Sequence, residues 1–140
     1  MKKILIINGP SLNFLGIREK EVYGDMSYKQ MTKLIKEFAK ENNVKVKIVQ
    51  TNHEGKIIDY LQLAHFKFDG CIINPGAYAH YSYAIMDAIK SIQIPCIEVH
   101  LSDITKREEF RKVSITGSAC KEIIAGKGIN GYLEAINYFC

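Results

Sequence analysis

The sequence lacks any run of eighteen apolar residues, the minimum length for a helix that spans a membrane. Its start, MKKILIINGP, also lacks the long apolar stretch and small-residue cleavage site of a secretory signal, because Asn8-Gly9-Pro10 interrupts the apolar run at residues 4–7. We therefore expect a cytoplasmic protein that makes no use of a membrane.

The cysteines form no C-x-x-C pair, and no group of His, Cys, Asp and Glu residues has the spacing of metal ligands. Two of the four cysteines, Cys71 and Cys96, lie in apolar runs. This pattern favours buried free thiols over a zinc site or a disulfide framework. We expect no bound metal.

The charge of the chain is nearly balanced, with a formal net charge of +4 and no basic stripe with interleaved aromatic residues. Such a charge is too small and too dispersed to indicate a nucleic-acid partner, although it favours a small anionic ligand. A length of 140 residues, of which 47% are hydrophobic, predicts one domain over residues 1–140 with a single well-packed core.

Five short apolar or alternating runs have the length and composition of β-strands, and amphipathic helical patterns separate them. The runs are KILII at residues 3–7, VKVKIV at 44–49, GCII at 70–73, CIEV at 96–99 and EIIA at 122–125. The alternating lysines of the second run predict a strand at or near a sheet edge. This order of elements predicts an α/β, flavodoxin-like three-layer sandwich with a five-stranded parallel sheet.

Several helices have recognisable boundaries or faces. Ser27 with Gln30 forms a capping box, and residues 78–92 predict a helix with Ala84 on its inner face. Thr105 with Glu108 has the same capping-box spacing, which predicts a helix start that places Arg107 and Arg111 on one face.

The motif Gly126-x-Gly128-x-x-Gly131 resembles a dinucleotide-binding fingerprint, but only nine residues follow it. No second strand and no acidic residue about twenty positions later can therefore complete the site. We interpret the motif as a tight turn into the last helix.

Three polar residues, Asn8, Asn74 and His100, follow predicted strands. Ligands of open α/β sheets bind beyond the carboxyl ends of the strands, so we expect these side chains to converge on one crevice. The long loop after the first strand carries Arg18 and Tyr23, and its glycines predict a hinged lid over residues 14–26, approximately.

Tyr23 is a candidate base, because a neighbouring guanidinium can stabilise a phenolate. Arg18 is the first candidate for that cation, with Arg107 or Arg111 as possible contributors, and a surface anchor is the alternative role for the tyrosine. His100 is a candidate general acid or else a structural histidine.

Glu98 precedes His100 by two residues, so both side chains lie on the same side of a strand. Glu98 can orient the imidazole, or it can be a buried carboxylate satisfied by backbone donors. His80 follows Asn74 in the same strand-end loop and can donate to a ligand hydroxyl.

Five ordered motifs, NGPSLNFLG, REKEVYG, INPGAYAHYS, IEVHLSDITKREEF and GKGINGY, make the chain similar to the type II 3-dehydroquinate dehydratases. The resemblance covers residues 7–132. It implies a flavodoxin-like enzyme of the shikimate pathway that removes water from 3-dehydroquinate through an enolate, without metal or cofactor.

The resemblance also implies catalytic roles for four residues. Tyr23 takes a proton from the carbon next to the ketone, Arg18 holds the tyrosine as a phenolate, and His100, supported by Glu98, protonates the departing hydroxyl.

The same resemblance implies contacts to the substrate and to other subunits. Asn74, His80 and Arg111 contact the ring hydroxyls, and the backbone amides of Leu101 and Ser102 bind the carboxylate. Asp87 matches an acidic residue contributed by a neighbouring subunit, in trimers that assemble into a dodecamer.

Three positions depart from the family pattern. Ser11 stands where the family usually has the second asparagine of N-G-P-N, Asp103 replaces a common asparagine, and Met86 replaces a common arginine. We expect Ser11 to alter the stabilisation of the enolate. A non-catalytic binding module and an enzyme acting on another hydroxy-ketone are the alternative functions.

Overall fold

The computed structural model describes residues 1–140 and contains one parallel sheet of five strands in the order β2-β1-β3-β4-β5. The strands are β1 (Lys2–Asn8), β2 (Val44–Gln50), β3 (Gly70–Asn74), β4 (Cys96–His100) and β5 (Glu122–Ala125). The predicted flavodoxin-like sheet is therefore confirmed. So is the edge position of the second strand, where Lys45 and Lys47 are exposed.

The chain contains five α-helices, and the four longer ones cover the two faces of the sheet. They are α1 (Lys20–Tyr23), α2 (Tyr28–Glu41), α3 (Glu54–Lys67), α4 (Tyr83–Ser91) and α5 (Asn130–Tyr138). Helices α2 and α5 contact each other, as do α3 and α4, so each pair forms one outer layer. None of the helices combines the length and the apolar character needed to cross a membrane.

Strand β1 lies inside the sheet, between β2 and β3, and its sequence is apolar without interruption from Ile4 to Ile7. Successive side chains of a strand point to opposite faces, and both faces of this sheet are covered. Ile4 and Ile6 belong to the core cluster that includes residues of α2 and α5, whereas Leu5 and Ile7 belong to the cluster that includes residues of α3 and α4.

The capping box at the start of α2 is present as predicted. The Ser27 hydroxyl accepts a hydrogen bond of 3.1 Å from the Gln30 amide, and the Gln30 side chain accepts one of 2.9 Å from the Ser27 amide. These two bonds satisfy free amides at the helix start, so α2 begins directly after the predicted lid segment.

The helix predicted over residues 78–92 was wrong at its start. Gly76–His80 is a 3₁₀ turn, and α4 begins only at Tyr83, where the Ser82 hydroxyl accepts a hydrogen bond of 3.0 Å from the Ile85 amide. As a result Ala84 is exposed and does not enter the core.

The capping box predicted for Thr105 and Glu108 was also wrong. The Asp103 carboxylate accepts hydrogen bonds from both the amide and the hydroxyl of Thr105, at 3.0 and 2.6 Å. Asp103 is therefore the capping residue in place of Thr105, and the chain forms two 3₁₀ turns, Ile104–Lys106 and Glu109–Arg111.

Candidate active site

A cavity of about 270 Å³ lies at the carboxyl ends of β1, β3 and β4. Its walls come from the segments that follow these strands and from the predicted lid. Eight of the ten predicted site residues line it: Arg18, Tyr23, Asn74, His80, His100, Leu101, Ser102 and Arg111. The candidate base Tyr23 and the candidate acid His100 thus share one cavity.

Glu98 lies outside the cavity wall because it is completely buried next to His100. The His100 Nε2 atom lies 2.7 Å from the Glu98 carboxylate, so the predicted same-side pairing is confirmed. The carboxylate is satisfied by side-chain hydroxyls of Ser114 and Thr116 instead of the backbone donors considered above. No feature of the local sequence pattern indicated these two partners.

Asn8 does not face the cavity, and its expected convergence with Asn74 and His100 was wrong. Its amide is fully buried, where the carbonyl oxygen accepts a hydrogen bond of 2.6 Å from the Tyr132 hydroxyl. The Asn74 amide nitrogen donates to the same hydroxyl at 3.1 Å. Asn8 therefore supports Asn74 from behind through Tyr132.

His80 is held in a defined orientation by the backbone. Its Nδ1 atom lies 2.8 Å from the Val113 carbonyl oxygen, which can only accept, so Nδ1 carries the hydrogen. Burial lowers the pKa of His80, and the charges of His100 and Arg111 lower it further, against the raising effect of the Val113 carbonyl. The neutral ring then leaves Nε2 as its free acceptor nitrogen.

The Tyr23 hydroxyl accepts a hydrogen bond of 3.0 Å from Arg107. This bond is the main reason why the pKa of Arg107 is raised. Arg18 pairs with Glu19 and lies with its guanidinium carbon 5.1 Å from the centre of the Tyr23 ring. The sequence put Arg18 first as the cation beside the phenol, whereas here Arg107 contacts the oxygen and Arg18 the ring face.

The backbone after β4 has two amides available for a ligand. Neither the Leu101 nor the Ser102 amide donates a hydrogen bond within the chain. Their carbonyl oxygens accept from the Gly128 and Gly126 amides at 3.1 and 3.0 Å, in the glycine turn that precedes α5. The glycine motif therefore supports the loop at the cavity.

The remaining predicted site residues are Arg111 and Asp87. Arg111 lines the cavity and forms an ion pair with Glu108 at 2.6 Å. Asp87 is exposed on α4 and lies outside the cavity formed by this chain.

Ser11 also lines the cavity, in a left-handed backbone conformation with φ of 67°. Its amide donates a hydrogen bond of 3.1 Å to the Asn52 side chain. No group of three His, Cys, Asp or Glu side chains in the structure has the geometry to hold a metal ion.

The family model described as Dehydroquinase class II matches residues 2–140. The chain belongs to this family.

Individual members of the family are similar to the chain over nearly their whole length. A 3-dehydroquinate dehydratase from Clostridium acetobutylicum is 54% identical over 134 residues, 96% of this chain and 93% of that protein. One from Caldicellulosiruptor bescii is 56% identical over 137 residues, 97% of this chain and 94% of that protein. The crystal structure of a type II dehydroquinase from Butyrivibrio crossotus superposes with a TM-score of 0.96 at 52% identity, covering 98% of this chain and 96% of that one.

Proposed function

We propose that this protein is a cytoplasmic 3-dehydroquinate dehydratase of the shikimate pathway, which converts 3-dehydroquinate to 3-dehydroshikimate and water. The observation that carries the proposal is the content of one cavity in a chain of this family. The cavity is lined by a tyrosine that lies beside two guanidinium groups and by a histidine that pairs with a buried carboxylate. Removal of a proton from carbon needs a general base, and departure of a hydroxyl group needs a general acid.

The first step is the removal of a proton from the carbon next to the ketone by the Tyr23 phenolate. The electron pair of that C–H bond moves toward the ketone and gives an enolate. Arg107, on the phenol oxygen, and Arg18, on the ring face, stabilise the phenolate before the proton moves.

The second step is the departure of the hydroxyl group. The enolate electrons form the new carbon–carbon double bond as the carbon–oxygen bond breaks, and His100 protonates the leaving oxygen so that water departs. Glu98 accepts a hydrogen bond from His100 Nε2 and so orients the imidazole. The product is a conjugated enone. Transfer of a proton from the Tyr23 hydroxyl through solvent back to His100 restores the enzyme, so the only net change is the loss of water.

The substrate is held by its carboxylate and its ring hydroxyls. The free amides of Leu101 and Ser102 bind the carboxylate. Asn74 and Arg111 contact the hydroxyls, and His80 accepts one hydroxyl hydrogen at Nε2. Residues 14–26 act as a lid, with Gly16 and Gly24 in left-handed conformations, φ of 84° and 83°, at the points where the segment turns.

We extend the proposal to assembly. Asp87 is exposed on α4, beside Tyr83, whose large side chain is 63% exposed. In the proposed trimer Asp87 reaches the cavity of a neighbouring subunit, and trimers form a dodecamer. Light scattering coupled to size exclusion tests this, and a monomer that retains full activity would contradict it.

Incubation with 3-dehydroquinate and continuous measurement of enone absorbance tests the reaction. Tyr23→Phe and His100→Ala should each remove most of the turnover, whereas Tyr138→Phe on the exposed side of α5 should leave it unchanged. A wild-type protein that binds the substrate without any rise in absorbance is a binding module. A protein active only on a related hydroxy-ketone is a different dehydratase.

A further inference from the structure

One short segment, residues 113–116, forms hydrogen bonds with His80 and with Glu98, the partner of His100. The Val113 carbonyl accepts the hydrogen of His80 Nδ1 at 2.8 Å. The Ile115 amide donates a hydrogen bond of 2.7 Å to the Ala79 carbonyl, directly before His80 in the chain. The two imidazole rings lie 6.2 Å apart with an angle of 23° between their planes.

The same segment supplies the hydroxyl groups around Glu98. Ser114 donates to the carboxylate oxygen that also pairs with His100, and Thr116 donates to the other oxygen. The Ser114 oxygen is fixed in turn by the Gly117 amide at 2.9 Å. Thr116 and Glu98 are both completely buried.

These hydroxyls are the only groups that hold the carboxylate apart from the histidine itself. No backbone amide and no lysine or arginine bonds to Glu98. A buried charge without such donors is costly, and a carboxylate that can rotate does not fix the ring that it pairs with. The direction of the His100 ring therefore depends on two side chains that do not line the cavity.

We propose that Ser114 and Thr116 are positioning residues that act on His100 through Glu98. They orient the carboxylate so that it accepts from His100 Nε2, which leaves Nδ1 as the ring nitrogen that delivers a proton to the leaving oxygen. This inference rests on the proposed function, in which His100 is the general acid.

Thr116→Val keeps the size and branching of the side chain and removes only the hydroxyl. Since general acid catalysis contributes roughly 10²–10⁴-fold, loss of the ring's alignment should lower kcat about tenfold, with KM changed less than about twofold. Thr116→Ser restores the hydroxyl and should return kcat to near the wild-type value. Ser118→Ala is the matched control, because this exposed hydroxyl bonds only to the Ile115 carbonyl.

A double-mutant cycle with Glu98→Gln separates positioning from general destabilisation. If Thr116 acts through Glu98, Thr116→Val should cause no further loss of kcat in the Glu98→Gln background. Thermal unfolding of each variant shows whether the fold persists, and Ser114→Ala, which removes the other hydroxyl at Glu98, gives the same test if Thr116→Val does not fold.

Three outcomes overturn the inference. They are an unchanged kcat in Thr116→Val, a Thr116→Ser variant as slow as Thr116→Val, and additive losses in the double mutant. An unchanged kcat in Glu98→Gln itself would instead overturn the proposed acid role of the pair, and this inference with it.

Discussion

Arg107 donates a hydrogen bond of 3.0 Å to the hydroxyl of Tyr23, which lies eighty-four positions earlier in the chain. The same nitrogen lies 3.2 Å from the Ser102 hydroxyl. One guanidinium group therefore connects the proposed base in the lid segment with the loop proposed to bind the substrate carboxylate. In this arrangement the proposed base lies beside that loop.

We predict that Arg107→Met lowers kcat about 100-fold, the typical cost of removing one positioned donor from a developing charge. Arg18→Met should cost less, because Arg18 contacts the ring face and pairs with Glu19. Steady-state assays with 3-dehydroquinate measure both variants, with Lys106→Met on the exposed neighbouring side chain as control. A larger loss in Arg18→Met would give Arg18 the leading role that its sequence position suggested.

Ser11→Asn should increase both turnover and stability. Asparagine tolerates the left-handed conformation that Ser11 adopts at φ of 67°, so the gain in unfolding free energy is about 0.5 kcal/mol. Its longer amide also reaches further into the cavity that Ser11 lines.

Enone assays and urea unfolding of Ser11→Asn are compared with those of Ser11→Ala, which removes the hydroxyl without adding an amide. Unchanged turnover in Ser11→Asn counts against a role for this position in stabilising the enolate.

Gly9 lies where two strand-end turns approach each other. A β-carbon at this position would lie 2.7 Å from the Pro75 carbonyl oxygen, a backbone atom that cannot move without displacing the turn after β3. Gly9→Ala should lower the unfolding free energy by about 2 kcal/mol and displace Asn74.

The control is Gly55→Ala. Gly55 lies in α3 with open space around it, and alanine there should raise stability by up to about 1 kcal/mol. Chemical denaturation gives both values, and equal effects of the two substitutions would contradict the packing argument.

The fold was predictable because it follows from local patterns. Continuous apolar runs mark strands covered on both faces, and the lysine alternation of β2 marks an edge. The helix starts near Tyr83 and Thr105 were mispredicted, because the hydroxyl of Ser82 and the carboxylate of Asp103 make hydrogen bonds that spacing alone does not reveal.

Site residues were predictable where the end of a strand determines their position. They were not predictable where contacts with residues distant in the sequence determine it. His100 is the last residue of β4 and lines the cavity as expected. Asn8 is the last residue of β1, but a hydroxyl from Tyr132, 124 positions away, holds it in the interior. Arg107 is a similar case, because its bond to Tyr23 depends on how the lid packs.

His80 makes stability depend on pH with a defined sign. Burial lowers its pKa in the folded chain, whereas in the unfolded chain a histidine has a pKa of about 6.5. Below about pH 6.5 the unfolded chain therefore binds more protons at this position, so the unfolding free energy falls as pH falls through the range down to the folded-state pKa. Above about pH 6.5 the contribution is constant.

His80→Gln removes this proton linkage, so the difference in unfolding free energy between wild type and variant should shrink as pH falls from 7.5 to 5.5. Urea unfolding at several pH values measures the difference, which cancels the titration of groups common to both proteins. Gln62→Ala, an exposed side chain of α3 that does not titrate, is the control and should give no change with pH. A difference for His80→Gln that grows at low pH would mean that the folded chain prefers the charged ring, and it would remove the basis for Nε2 as an acceptor.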